Sequence, residues 1–203
     1  MPWHTWFVFD LGNVVINVDY EKLIHGICSN ADVDRDRLIQ IIEGAGGYRD
    51  LEKGLVSFKD FHEFLGDRAG YRGDLQQFRT LWSDFLGAPV EGIEEVLDRA
   101  REKYRVAFLS NSNEVHAELI PKRYSMLFRK DDRFIFSYRY HCAKPDLLIY
   151  QRALEILGAM SSQVLYTDDL VDNVLAARDV GIRAFHFRGA FELIEELERE
   201  ELI

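Results

Sequence analysis

"FVFDLGNVV", residues 7–15, decides the fold. Four apolar residues run into Asp10, Gly12 follows two positions later, and the chain turns apolar again. A β-forming run with no polar alternation is the pattern of a strand buried on both faces. Such a strand carries whatever follows it to the edge of a sheet, and here that is a carboxylate.

Working outward, five runs share this character: Trp3–Phe9, Arg105–Leu109, Phe134–Ser137, Val164–Thr167 and Arg183–Phe187. Helical stripes lie between the later ones. Ile93, Val96, Leu97 and Ala100 form one, and Leu147, Tyr150, Leu154 and Leu157 another, opened by Pro145 and closed by Gly158. A third runs from Asn173 to Val180 and stops at Gly181. Strands alternating with helices predict an α/β fold with a mainly parallel five-stranded sheet. Residues 20–87 differ: they carry four helical stripes and no convincing strand. In the third stripe Ser57 stands where a cap is needed, with Asp60 in the first turn. The spacing predicts a core of residues 1–18 and 88–203, with a four-helix unit, residues 19–87, inserted after the first strand. "INVDY" (16–20) and "LGAPVEG" (86–92) are the expected hinges.

The chain has 203 residues, 47% of them hydrophobic and 30% charged, enough for a sizeable core. A net charge of −10 excludes a nucleic-acid surface, which needs clustered Lys and Arg. Two cysteines, Cys28 and Cys142, match no metal spacing and no disulfide framework; they read as reduced thiols. No stretch approaches a membrane span and the start lacks a basic leader, so the chain reads as cytoplasmic.

In an open parallel sheet, ligands bind beyond the carboxyl ends of the strands. Asp10 follows the first strand, Ser110–Asn113 the second, Lys144 the third, and Asp168 and Asp169 the fourth. Each alone is ordinary loop or cap chemistry; together they place acids, a hydroxyl, an amide and a lysine on one edge. Asp10 and Asp169 would repel each other, and a divalent cation such as Mg²⁺, held by carboxylates, water and a substrate phosphate, removes the repulsion. Ser110 and the Asn111 N–H can donate to phosphate oxygens, and Lys144 can neutralise both Asp10 and a bound phosphate. A carboxylate so placed can act as a nucleophile on phosphorus.

In order and spacing, "FDLGNV" (9–14), "LSNSN" (109–113), "AKP" (143–145) and "YTDDLVDNV" (166–174) resemble the four motifs of the haloacid dehalogenase superfamily, with a helical C1-type cap inserted after the first. "DLGNV", the run Ser110–His116 and "EKG" before "SFKDF" look most like the branch containing α-D-glucose-1-phosphate phosphatases. The resemblance implies a Rossmann-like core and a magnesium-dependent phosphatase acting on small phosphorylated metabolites, sugar phosphates among them, through an aspartyl-phosphate. It makes Asp10 the nucleophile and a metal ligand, the Gly12 carbonyl and Asp169 further ligands, and Ser110, Asn111 and Lys144 the phosphate holders. Asp168 stands beside the fourth-motif acid. Asn173 falls where many members have another Asp. Nucleic-acid and membrane partners are not expected.

One departure stands out. Phosphatases of this superfamily usually have an Asp at position 12 as general acid, and this chain has Gly12. General acid–base help is worth about 10²–10⁴-fold in rate. Asp19, Asp168 and His116 are candidates to replace it, alongside a substrate with a good leaving group. Tyr48, Arg49 and Glu52, just before "KG", are candidates for substrate contact from the cap. Rival readings are a metal-independent 2-haloacid dehalogenase, which also lacks that Asp, a phospho-accepting receiver domain, and a catalytically weak binding protein on the same fold.

Overall fold

The computed structural model describes residues 5–203. Positions 3 and 4 of the expected first strand lie outside that range. The central sheet has five parallel strands: β1 (Trp6–Phe9), β4 (Arg105–Ser110), β5 (Arg133–Phe136), β6 (Val164–Asp168) and β7 (Arg183–His186), in the order β5-β4-β1-β6-β7. Successive side chains of a strand point to opposite faces. Phe7 and Phe9 therefore join one apolar layer, and Trp6 and Val8 the other. Both faces are buried, which is why the sequence shows apolar runs rather than alternation. The outer layers are α6 (Ile93–Lys103), α7 (Glu114–Arg123), α8 (Leu147–Leu157), α9 (Val171–Asp179) and α10 (Ala190–Arg199).

The register sets the site. Phe9 of β1 pairs with Phe108 on one side and Thr167 on the other. The residue after Phe9, Asp10, therefore leaves the sheet level with Leu109 and Asp168. Its N–H still bonds the Thr167 carbonyl at 2.9 Å, so the carboxylate departs from a fixed backbone.

Within residues 19–85 come five helices: α1 (Tyr20–Cys28), α2 (Arg35–Ile42), α3 (Tyr48–Glu52), α4 (Phe58–Ala69) and α5 (Leu75–Asp84). Four match the expected stripes. Ser57 and Asp60 close a reciprocal capping box on α4, each side chain bonding the other's N–H at 3.1 Å. The fifth, α3, is one turn long and too short to show a period. The expected hinges are themselves strands: β2 (Ile16–Val18) pairs antiparallel with β3 (Leu86–Pro89). Three or four residues with Gly87 and Pro89 among them carry no readable alternation. The apolar cluster runs without a break from the sheet face through Phe85 and Leu86 into Trp82, Phe78 and Phe58 of these helices. No helix among the described residues is long and apolar enough to cross a membrane.

Candidate active site

A cavity of about 160 Å³ lies between the carboxyl edge of the sheet and α1, α3 and the β2–β3 ribbon. Asp10, Ser110, Lys144 and Asp169 line it from the sheet; Tyr20, Tyr48 and Glu52 line it from the helices.

Lys144 is the hub. It is 3% exposed, and its Nζ donates to Asp10 Oδ1 at 2.5 Å and Asp168 Oδ2 at 2.7 Å. Asn111 fixes it from behind: its amide accepts from the Lys144 N–H at 2.8 Å and donates to the Lys144 carbonyl at 3.0 Å. The side chain of Asn111 thus orients the lysine rather than facing a ligand. Burial opposes the charge on Lys144, but the two carboxylates outweigh it and hold the ammonium firmly protonated.

Asp168 is fully buried and saturated. Oδ2 accepts from Lys144 and the Tyr166 hydroxyl, and Oδ1 from the Leu170 N–H and Asn173 Nδ2, both at 2.9 Å. Burial favours its neutral form, but Lys144 with the Tyr166 and Leu170 donors prevails, and its pKa lies below the ordinary carboxylate value. Asn173 is therefore a brace for Asp168, anchored in turn by Tyr150, whose hydroxyl donates to the Asn173 carbonyl at 2.9 Å.

Asp10 and Asp169 keep free oxygens. Burial, the largest effect, raises Asp10 to about 7 against the pull of Lys144, and Asp168 and Asp169 push the same way. Burial followed by Asp168 also raises Asp169. One oxygen from each of Asp10, Asp168 and Asp169 lies within 4.8 Å of the others. Three carboxylates face one ammonium, so the full ionic set carries two uncompensated negative charges. Hard oxygen donors with that excess fit a divalent cation such as Mg²⁺, with Asp10 and Asp169 the acids free to hold it.

Ser110 ends β4 with its Oγ on the Asn111 carbonyl at 3.2 Å. Arg49, of α3, does not face the acid cluster. Its guanidinium bonds the Lys144 carbonyl and Asp146, each at 3.1 Å, and clamps the helix to the core. His116 lines the cavity but is occupied. Its Nε2 meets the Trp82 carbonyl at 2.9 Å, and since a carbonyl only accepts, that nitrogen carries the hydrogen. Burial drives its pKa down to about 4, so it stays neutral, packed against Trp82 and Phe85. Asp19 caps α1, accepting from the Lys22 N–H at 3.0 Å, and is exposed. None of the three candidate substitutes for the missing acid is free for the task.

The sequence profile of haloacid dehalogenase-like hydrolases matches residues 5–181. The chain belongs to the haloacid dehalogenase-like hydrolases. A D-ribitol-5-phosphate phosphatase of Bacteroides thetaiotaomicron is 24% identical over 196 residues, covering 94% of this chain and 95% of its own. A haloacid dehalogenase-family enzyme from the same bacterium, an Asp-to-Ala mutant crystallised with magnesium and inorganic phosphate, is 26% identical. It superposes with a TM-score of 0.76 over 92% of this chain and 95% of its own. A haloacid dehalogenase-like hydrolase from Porphyromonas gingivalis shares the fold with a TM-score of 0.82 over 98% of both chains, at 24% identity. The family and the α/β hydrolase fold are those expected from the four motifs.

Proposed function

We propose that this hydrolase is a magnesium-dependent phosphatase of small phosphorylated metabolites, sugar and polyol phosphates among them, working through an aspartyl-phosphate on Asp10. One observation carries the reading: a buried lysine bonded to a strand-end aspartate that still has a free oxygen, beside a second free acid. The phosphatase relative and the magnesium- and phosphate-bound neighbour support it.

In this reading residues 19–87 form a helical cap over a core of 1–18 and 88–203. Asp10, Asp169 and the Gly12 carbonyl hold Mg²⁺, which when bound neutralises the acids and draws a dianionic phosphate toward them. Lys144 offsets the charge of Asp10 and of the phosphoryl oxygens, and Ser110 with the Asn111 N–H binds those oxygens. Asp10 attacks phosphorus, and water later releases phosphate from it. Asp168 and Asn173 keep Lys144 aimed, and Arg49 holds α3 to the core.

The test is phosphate release from a panel of phosphomonoesters with Mg²⁺, beside Asp10→Asn and a chelator. Release that both abolish is the expected result. No release above the Asp10→Asn background ends the phosphatase reading. Chloride freed from a 2-haloacid in the presence of chelator would replace it with a metal-free dehalogenase.

A further inference from the structure

Gly12 leaves the leaving group without the usual acid, and the three substitutes visible in sequence are engaged elsewhere. The cavity holds one further carboxyl outside the Asp10–Asp168–Asp169 cluster among its lining residues: Glu52. We propose that Glu52, supplied by α3, is the general acid and then the general base of this phosphatase. The inference rests on the phosphatase reading above.

Geometry places Glu52 there. α3 is tied to the core along its length. Ser137 Oγ donates to the Glu52 carbonyl at 2.6 Å, Arg49 reaches the Lys144 carbonyl and Asp146, and Lys53 Nζ meets Asp146 at 2.9 Å. His141 Nδ1 donates to the Lys53 carbonyl at 3.1 Å. Gly54 ends the segment at φ +61°, where an added Cβ would lie 2.2 Å from the Tyr138 carbonyl oxygen. Only glycine permits so close a docking. The core thus grips the backbone on both sides of Glu52 and turns its side chain into the cavity that Asp10 lines.

The surroundings suit a proton donor. Glu52 is 8% exposed and lies one helical turn from Tyr48, which lines the same cavity. Arg49 and Lys144 are the cations near it, and both are already bonded to other oxygens. Burial raises its pKa to about 7, against Arg49, Tyr48 and Lys144. A carboxyl titrating near neutrality can give a proton and take it back. Tyr48 is held well protonated by burial and by the neighbouring Tyr20 and Glu52.

The steps balance. Asp10 forms a P–O bond as the ester P–O bond breaks. The electrons of the broken bond stay on the leaving oxygen, which takes the Glu52 proton and departs as the alcohol. Glu52, now a carboxylate, removes a proton from water as that water attacks phosphorus. The bond from phosphorus to Asp10 breaks, leaving phosphate, the Asp10 carboxylate and protonated Glu52.

An acid matters most to poor leaving groups, so the test compares alkyl and aryl esters. The probes are ribitol 5-phosphate, glycerol 3-phosphate and 4-nitrophenyl phosphate, with Mg²⁺. Glu52→Gln should lower kcat for the alkyl esters on the order of 10²-fold, and for the nitrophenyl ester less than tenfold. Adding Gly12→Asp to that variant should restore at least tenfold of the lost alkyl turnover. Room exists for it, since a Cβ at Gly12 meets only Val18 methyls, at 3.7 and 3.8 Å. Equal losses on both ester types, a loss in KM alone, or no rescue overturns the proposal. So does a wild-type enzyme that hydrolyses the aryl ester and neither alkyl ester. Should the variant not fold, the wild type decides: a shallow dependence of kcat on leaving-group pKa across substituted phenyl phosphates is expected, and a steep one overturns the inference. If nothing exceeds the Asp10→Asn background, it is the phosphatase reading that has failed.

Discussion

Two buried acids that feel the charge of the same lysine end in opposite states. Asp168 receives an ammonium, a phenol, a backbone N–H and an amide N–H, and is held as a carboxylate. Glu52 has Arg49 and Lys144 nearby, both bonded to other oxygens, and burial raises its pKa to about 7. Burial is the largest influence on both. The difference shows that exposure does not set the charge of a buried acid; the donors brought to its oxygens do. The first arrangement serves a fixed electrostatic frame, the second a proton that moves.

The sharpest way to break this contrast is to remove the cation. Lys144→Ala leaves Asp10 and Asp168 buried without their partner, and losing one member of such a set costs about 3–5 kcal/mol. Urea unfolding with chelator should show that loss at pH 8. It should be smaller at pH 5, where Asp168 in the variant can discharge by taking up a proton. An equal loss at both pH values would mean Asp168 is not held ionised by Lys144.

A smaller effect comes from loosening the other acid. Gly54→Ala puts a Cβ against the Tyr138 carbonyl at a left-handed backbone position. The expected cost is about 1–3 kcal/mol in unfolding free energy. Alkyl-phosphate turnover should fall more than nitrophenyl-phosphate turnover, because Glu52 moves with α3. Wild-type turnover of both esters would show that the docked turn does not position the acid.

The smallest change runs in the opposite direction. Glu52 has a folded-state pKa of about 7 against an ordinary 4.5. The folded chain therefore keeps a proton that the unfolded chain loses between those values, and the stability contribution falls as pH rises through that window. Glu52→Gln removes the slope. With chelator, the variant should be more stable than wild type at pH 8 by about 1 kcal/mol, part of a buried carboxylate's penalty being replaced by that of an amide. No such gain at pH 8 would place Glu52 in contact with a cation after all.

Much of the site is legible in the sequence alone, for a local reason. Asp10, Ser110 and Asp169 stand at or one residue beyond the end of a strand, and Lys144 in the loop that follows β5, and a parallel sheet collects such ends on one edge. Their order along the chain needed only the apolar runs that precede them. The Ser57 cap was equally readable, because a cap and its partner lie three residues apart. The β2–β3 ribbon and α3 were not, being too short to carry a period.

The sequence by itself determined the parallel α/β core, the inserted helices and the acid–lysine edge, because each follows from side chains a few positions apart. Only the tertiary structure decided what those side chains are free to do. It bound His116 to Trp82, Asp19 to the start of α1 and Asn111 to Lys144, and it tied Glu52 to Ser137 across 85 positions of chain. Charge and hydrogen-bond occupancy depend on neighbours in space, so the answer to the missing acid at Gly12 lies in how α3 docks on the core.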